Sequence, residues 1–267
     1  MSDYTWNVDL IELVKHRRFK TLNRIWLQLL RGYFRVEVEG LENIPRKGGA
    51  IIIPNHSGFA GADALILAHV IKRETRRRAR LLAHRAFFDF SKTLKAVAER
   101  FGLRKATVTG GQEMLKQGRL VILFPEGEVG NFKPTFKRYQ LQPFHTGFLR
   151  MAIPNRAPII PCVIIGAEEA SLNLGNVDLS KFIKGIRIPF PVNPVPLPAK
   201  WKIRILPSID STEYADVLHD PDKLQQLARD CQARLQKEIR KELKTREYIY
   251  FRQTRKLVEK VFRKKRT

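Results

Sequence analysis

Cysteine is scarce in this sequence of 267 residues, which contains only Cys162 and Cys231. Two such distant cysteines exclude a disulfide framework and a cysteine-based zinc site, and they are typical of a reducing compartment. Long apolar runs are also missing, because stretches such as Ala64–Ile71 fall well short of the roughly 18 residues of a membrane-spanning helix. The N-terminus lacks the pattern of a secretory signal. We therefore expect a chain in the cytoplasm, dissolved or bound peripherally or monotopically to the cytoplasmic side of a membrane.

Acidic residues are too few to balance the basic ones. The sequence has 50 Lys and Arg but 26 Asp and Glu, a net charge of +24, and residues 237–267 hold 13 of the basic residues and 4 Glu. This excess predicts an anionic partner, which could be nucleic acid, a membrane surface or an acidic protein. Apolar residues make up 43% of the chain, enough for a sizeable core, so wholesale disorder is excluded.

Short apolar runs alternate with helical patterns along the centre of the chain. This alternation predicts an α/β domain with a mixed, largely parallel central sheet flanked by helices. The predicted strands are Tyr33–Val38, Ala50–Ile53, Leu120–Phe124, Ile159–Ile165 and Trp201–Leu206, and the predicted helices are Asp63–Lys72, Phe87–Arg100, Gln112–Gln117 and Thr146–Ile153. Five prolines in Pro189–Pro198 predict an irregular loop there.

Helical segments flank this domain on both sides. Residues 5–32 have the apolar spacing of one or two amphipathic helices that are basic on their polar side. From Asp222 onward, apolar residues recur on one face of a long helix that leads into the basic tail. We therefore divide the chain into residues 1–32 as membrane-associating helices, 33–212 as the central domain, and 213–267 as a basic helical tail.

Two turns follow predicted buried strands, where ligands of parallel sheets usually bind. In the first, Asn55-His56 is followed by Asp63 near a helix start, and a histidine with a carboxylate partner is the minimal general-base unit. In the second, Phe124-Pro125-Glu126-Gly127 places a carboxylate at a strand end. Taken singly, each turn has an ordinary structural interpretation, with His56 and Glu126 capping backbone groups.

Together the two turns resemble the signatures of the glycerolipid acyltransferase family, which comprises lysophosphatidate and lysophospholipid acyltransferases. That family has an Asn-His turn with a following Asp, and a Phe-Pro-Glu-Gly block some 60 to 70 residues later. The resemblance covers roughly residues 35–210, so residues 33–212 would be an acyltransferase catalytic domain. It continues in Lys133-Pro134, Arg138-Tyr139, Gly147-Phe148, Ala157–Pro161 and Gly166–Glu169.

The spacing between histidine and aspartate departs from the family's commonest pattern. Six residues separate His56 from Asp63, where four are usual, although a branch of the superfamily has a longer Asn-His-Ser-Gly opening. The four-residue spacing occurs instead at His84 and Asp89. We do not place the active site there, because this pair follows no predicted strand and lies too close to Phe124 for the family's order.

The resemblance implies a fatty acyl transfer from acyl-CoA or an acyl-carrier protein to a lysolipid hydroxyl, without metal or cofactor. His56 would take the hydroxyl proton, Asp63 would hold the other ring nitrogen, and Glu126 would position the acceptor. Arg104 is the expected phosphate ligand, since its planar fork suits phosphate. The full set of expected substrate-binding residues is Asn55, Arg104, Phe124, Pro125, Glu126, Gly127, Lys133 and Arg138, the last two being reserves for phosphate. The three cations also fit ordinary solvated surface positions.

The expected partners are a membrane with anionic lipids, an acyl thioester, a lysolipid and an acidic acyl-carrier protein. Three alternatives remain open. A CoA-independent phospholipid transacylase would use the same hydroxyl chemistry at His56. A hydrolase is disfavoured because the Gly-x-Ser-x-Gly elbow is missing. A nucleic-acid-binding protein rests on net charge alone, since zinc-finger spacing and aromatic RNA-binding motifs are missing, so we expect no nucleic-acid partner.

Overall fold

The computed structural model describes residues 17–56, 61–84, 88, 92–131, 133–178, 187–193 and 195–251. The strands in these ranges are β1 Glu37–Glu39, β2 Ala50–Pro54, β3 Ala79–Ala83, β4 Leu103–Lys105, β5 Leu120–Ile122, β6 Ile159–Ile165, β7 Asn173–Asp178, β8 Arg187–Pro191 and β9 Lys202–Ile205. The helices are α1 Arg17–Tyr33, α2 Ala62–Thr75, α3 Lys92–Arg100, α4 Val108–Lys116, α5 Gly127–Asn131, α6 Gly147–Ala152, α7 Ala167–Ala170 and α8 Pro221–Thr245. Short 3-10 turns include Thr135–Lys137 and Ser211–His219.

Seven strands form one central sheet in the order β1-β9-β6-β2-β5-β3-β4. Five of its pairings are parallel, and the pairing of β6 with β9 is antiparallel. This confirms the predicted mixed, largely parallel α/β sheet. Strands β2 and β5 are neighbours, so the two turns identified in the sequence leave the sheet side by side at the same edge.

The central strands are buried on both faces, as expected of a sheet covered by helices. Ile51 and Ile53 of β2 belong to a core cluster that includes α6 and the apolar face of α8. Ile52 belongs to a second cluster on the opposite face, which includes α2. In that second cluster the rings of Phe34 and Trp201 stack with centroids 4.4 Å apart.

The prediction of an irregular loop over Pro189–Pro198 is wrong at its start. Residues Arg187–Pro191 form β8, which pairs antiparallel with β7 in a separate two-stranded sheet. Pro189 and Pro191 are compatible with a strand there because a two-stranded sheet consists of edge strands. The predicted strand Tyr33–Val38 also differs, since α1 continues to Tyr33 and β1 begins at Glu37.

The flanking helices are partly described. Helix α1 is joined to α2 by the ion pair of Arg31 with Glu74, whose atoms are 2.9 Å apart, and residues 1–16 of the predicted N-terminal segment lie outside the described residues. Asp220 caps α8 by accepting hydrogen bonds from the backbone N–H groups of Asp222 and Lys223. Residues 252–267 of the basic tail also lie outside, and the three-part division stays a prediction. None of the described helices is both long and apolar enough to cross a bilayer.

Candidate active site

The first turn is fixed to the sheet by Asn55, whose side chain is fully buried. Its Nδ2 donates to the carbonyl of Ile164 at 2.9 Å, and its Oδ1 accepts from the N–H of Ile164 at 2.7 Å. The amide of Asn55 thus extends the pairing of β2 with β6 past the strand end. These contacts make Asn55 a residue that positions the turn, and its predicted contact with substrate stays a prediction.

His56 and Asp63 are brought together despite the long segment between them. Nδ1 of His56 lies 2.7 Å from Oδ2 of Asp63, whose side chain is completely buried at the start of α2. The imidazole stacks on Phe124 with ring centroids 4.1 Å apart, and it keeps 15% of its side chain exposed. No described residue hydrogen-bonds Nε2, which is the ring nitrogen that a general base would use.

Glu126 in the second turn is buried and is surrounded by donors. Oε1 accepts from the backbone N–H of His56 at 2.9 Å, and Oε2 accepts from the N–H of Gln142 at 2.7 Å and from Lys133 Nζ at 3.3 Å. The carboxylate therefore joins the two motifs. Its predicted contact with an acceptor stays a prediction, because all three of these donors come from the protein.

The other residues of the second turn hold its shape. Gly127 has φ of +60°, a left-handed conformation that favours glycine, and its N–H donates to the carbonyl of Phe124 at 3.1 Å. The carbonyl of Pro125 accepts from the N–H of His145 at 2.9 Å. The carbonyl of Phe124 thus accepts the hydrogen bond that closes this turn, and its ring stacks on the imidazole of His56.

A buried network of charges continues from Glu126. Lys133 is 4% exposed at its side chain, and Nζ also donates to Glu168 Oε1 at 3.2 Å and to the carbonyl of Gln140 at 3.3 Å. Burial raises the pKa of Glu168 to about 7, and the positive charge of Lys133 opposes this rise. Oε2 of Glu168 accepts from the N–H of Tyr139 at 2.7 Å. Lys133 is consequently the internal counter-charge of two carboxylates.

The same network reaches the segment after α8. The hydroxyl of Tyr139 donates to Glu169, and burial together with the neighbouring Glu169 charge raises the pKa of Tyr139 well above its ordinary value. Oε1 of Glu169 forms an ion pair with Arg246 at 2.7 Å, and Arg246 also donates to the carbonyl of Lys200 at 2.8 Å. The Gly166–Glu169 segment is therefore a structural link between the candidate site and the C-terminal part of the domain.

The three cations expected to bind phosphate are not brought together. Lys133 is buried with protein partners, so the geometry does not support its role as a phosphate ligand. Arg104 lies on the edge strand β4, where Nη1 donates to the carbonyls of Leu103 and Glu99. Arg138 is exposed beside the 3-10 turn Thr135–Lys137. The phosphate ligand thus stays a prediction for Arg104 and Arg138.

One of the two reasons given above for setting aside His84, that it follows no strand, is wrong. His84 directly follows β3, a strand with buried residues that was not predicted, at the same sheet edge as His56. Its Nδ1 lies 2.8 Å from Oε1 of Glu128, and both side chains are more than one-third exposed. Asp89, the other member of the four-residue spacing, lies outside the described residues. The structure thus contains a second histidine–carboxylate pair, but the buried pair with the Glu126 link is that of His56.

Sequence reasoning missed Gly130, which packs directly against the site. A Cβ atom at this position would lie 2.5 Å from Cβ of Glu126 and 3.1 Å from Cβ of His56. A glycine shortly after the Glu126 turn was the available signal, because glycine marks a close approach of the backbone.

Within the described ranges, no three His, Cys, Asp or Glu side chains are placed to hold a metal ion.

Comparisons with known proteins show what this chain is similar to. Residues 35–165 match the family described as Acyltransferase. An uncharacterized protein of Mycobacterium tuberculosis is 35% identical over 235 residues, 83% of this chain and 65% of that protein. The 1-acyl-sn-glycerol-3-phosphate acyltransferase of Pseudomonas aeruginosa is 31% identical over 150 residues, 51% of this chain and 52% of that protein. This chain therefore spans between half and two thirds of the length of these two relatives.

The fold is also found among solved structures. The crystal structure of the 1-acyl-sn-glycerophosphate (LPA) acyltransferase PlsC from Thermotoga maritima has a TM-score of 0.52 and 19% sequence identity to this chain. The similarity covers 89% of this chain and 88% of that one. The matched range 35–165 begins just before β1, ends with β6 and includes both turns of the candidate site. Through these residues, which make up just under half of its length, the chain is similar to the acyltransferase family.

Proposed function

We propose that the protein is an O-acyltransferase that moves a fatty acyl group from a thioester to a hydroxyl of a lysophospholipid-like acceptor. The donor would be acyl-CoA or acyl-carrier protein, and the reaction would belong to phospholipid biosynthesis or remodelling. The observation that supports this most is the 2.7 Å contact of His56 Nδ1 with the buried Asp63, which leaves Nε2 without a described partner. The acyltransferase family and the lysophosphatidate-type relatives support the reaction class.

The chemistry would proceed by direct transfer. Nε2 of His56 accepts the proton of the acceptor hydroxyl while the hydroxyl oxygen bonds to the thioester carbonyl carbon. The carbon–sulfur bond then breaks, and the imidazolium returns the proton to the leaving thiolate, so that an ester and a free thiol are formed. Asp63 fixes the tautomer with the proton on Nδ1 and stabilises the positive charge of the imidazolium. No group of the protein needs to become acylated.

A membrane surface with anionic lipids is the proposed location of the reaction, because the acyl chains of acceptor and product belong in a bilayer. Helix α1 supports this proposal with an exposed apolar stripe at helical spacing, formed by Leu22, Ile25, Trp26, Leu29 and Tyr33. The exposed Arg24 lies on the same helix. Apolar insertion and attraction to anionic lipids are the two signals that together give stable membrane binding, at about 1 kcal/mol per basic residue near the surface.

The test is an acyl-transfer assay with radiolabelled acyl-CoA and acyl-carrier protein against a panel of lysolipids, in vesicles containing anionic lipid. We expect transfer from at least one thioester, and the panel identifies the donor and the acceptor head group. Transfer only from a labelled diacyl phospholipid would replace this proposal with the transacylase. Release of free fatty acid in place of ester formation would replace it with the hydrolase. Failure of every donor would contradict the proposed function.

A further inference from the structure

We propose that the base of the β7–β8 hairpin, together with the neighbouring turn Thr135–Lys137, is a second surface that contacts an anionic bilayer. This inference rests on the membrane location proposed above and adds a contact that is separate from α1. Its four apolar side chains lie on segments between 135 and 195, far along the chain from the N-terminal helix. We call this set the hairpin-base patch, and it consists of Phe136, Leu174, Val192 and Val195.

Within the part of the α/β domain that the structure describes, the patch holds most of the exposed large apolar side chains. The side chains of Phe136, Leu174, Val195 and Val192 are 76%, 69%, 68% and 54% exposed. Single exposed apolar residues are common on soluble proteins, but a group of large ones on adjoining segments marks a surface that binds something apolar. Their exposure has no use in the chemistry assigned to His56.

Two asparagine residues, Asn173 and Asn193, hold these segments together. The N–H of Asn173 donates to Thr135 Oγ1 at 2.7 Å, and its Nδ2 donates to the carbonyl of Lys133 at 3.1 Å, which fixes Leu174 beside the turn that carries Phe136. Asn193 accepts from the N–H of Leu172 and donates to the carbonyl of Val195, both at 2.7 Å. Each of the four apolar residues is therefore either hydrogen-bonded in this network or directly next in sequence to a residue that is.

The same region is continuous with α1. The hydroxyl of Tyr33, at the end of the exposed stripe of α1, donates to the carbonyl of Pro196 at 2.6 Å. Pro196 directly follows Val195. The C-terminal end of the apolar stripe of α1 therefore lies next to the hairpin-base patch.

The charges beside the patch favour an anionic lipid surface over an apolar protein partner. Lys137 and Arg138 directly follow Phe136, and both are exposed. No ion pair between either residue and a described carboxylate is found. Exposed aromatic and aliphatic side chains next to basic ones match the boundary between acyl chains and phosphate head groups.

The location of the patch connects it with catalysis. The hairpin leaves the sheet beyond the end of β6, at the edge that also carries His56 and Glu126. The carbonyl of Lys133 accepts from Asn173, while its Nζ donates to Glu126. A bilayer on this patch would therefore lie next to the edge of the sheet where the lipid substrate must enter.

Cysteine labelling tests this proposal directly. Cys162 and Cys231 are buried, so a polarity-sensitive dye can be attached to Leu174→Cys, Val195→Cys or, on α1, Leu29→Cys. Gln117→Cys, an exposed site at the opposite edge of the sheet, serves as the matched control. On mixing with vesicles of equal parts phosphatidylglycerol and phosphatidylcholine, the dyes at residues 174 and 195 should rise several-fold in fluorescence and shift to the blue. The dye at residue 117 should not respond.

A second variant gives an independent readout. Phe136→Ser combined with Leu174→Ser should weaken vesicle partitioning roughly tenfold or more, because two large apolar side chains no longer leave water. Circular dichroism should be unchanged, since both side chains are exposed. A response at residue 29 without one at residues 174 and 195 would overturn the second surface alone. If no dye responds and the protein fails to float with vesicles, the membrane location itself is contradicted, whereas acyl transfer to a soluble acceptor would still report on the proposed chemistry.

Discussion

The backbone N–H of His56 donates to Oε1 of Glu126 at 2.9 Å, so the carboxylate of the second turn fixes the backbone of the histidine in the first. The other oxygen of Glu126 is held by Gln142 and Lys133. The two turns are therefore held together by hydrogen bonds, although they are distant in sequence. Loss of Glu126 would displace His56 even if Glu126 never touched a substrate.

Asp63→Asn should lower kcat by a factor of about 10²–10⁴ with little change in the KM of the acceptor. An amide cannot stabilise the imidazolium as a carboxylate does, and it can hold the ring in the wrong tautomer. Steady-state kinetics will separate the two parameters, with Asp216→Asn, an exposed position, as the matched control. An unchanged kcat would show that Asp63 only stabilises the N-terminal end of α2 and takes no part in the reaction.

Gly130→Ala should reduce activity strongly, because the new Cβ would lie 2.5 Å from Cβ of Glu126 and 2.9 Å from its Cδ. Such contacts force a shift of the carboxylate that holds His56. Gly147→Ala is the matched control, since nothing lies within 4 Å of a Cβ atom there. Relative kcat values and thermal melting of both variants check this. Equal activity of the two variants would mean that the site tolerates displacement of Glu126.

Lys133→Met should destabilise the fold by about 3–5 kcal/mol, because it leaves Glu126 and Glu168 buried without their counter-charge. Addition of Glu168→Gln should recover part of this loss, since one of the two uncompensated carboxylates is removed. Urea unfolding measures both effects, and Lys137→Met, at an exposed position nearby, should be nearly neutral. If Lys133→Met were as stable as Lys137→Met, the network would not be the structural element inferred above.

The Glu168 carboxyl should make stability depend on pH. Burial raises its pKa from 4.5 to about 7, so between these values the folded state holds a proton that the unfolded state has lost. The protonated Glu168 carboxyl therefore stabilises the folded state below pH 4.5. This stabilisation is lost as the pH rises through about 7. The stability of Glu168→Gln relative to wild type should consequently increase from about pH 5 to about pH 8, on the order of 1–3 kcal/mol.

Chemical unfolding at several pH values measures this difference. Glu113→Gln changes an exposed carboxyl of α4 and should show no such trend. A stability difference between Glu168→Gln and wild type that does not vary with pH would contradict a raised pKa of Glu168.

The apolar runs of the central strands identified the sheet well, because these strands are buried on both faces. β6 was predicted with its observed bounds, Ile159–Ile165. Strands β3 and β4 were missed because they lie towards one edge of the sheet and are obscured by basic residues: β3 contains Arg80 and follows a run of arginines, and β4 is only Leu103-Arg104-Lys105. β8 was missed because its prolines indicate a loop unless the strand is known to lie at an edge.

The His56 and Asp63 partnership could be expected from residue types and the family resemblance, but the role of Lys133 could not. A lysine in a segment rich in basic residues is typical of surface, and only the fold shows that its side chain turns inward between Glu126 and Glu168. The close approach of Gly130 to His56 likewise depends on how α5 packs on the first turn, and the glycine itself was the only local signal of it. The contact of Lys133 with Glu168 joins segments that are distant in the chain and has no local sequence signal.

The measurement that tests the central claim most directly compares His56→Gln, His84→Gln and His219→Gln in acyl transfer, with whichever donor and acceptor the lysolipid panel identifies. We predict that His56→Gln lowers kcat by a factor of about 10²–10⁴, while the other two variants retain most of the wild-type rate. Circular dichroism should show that all three remain folded. Loss of activity in His84→Gln, with full activity in His56→Gln, would contradict this assignment and place the reaction at the pair of His84 with Glu128.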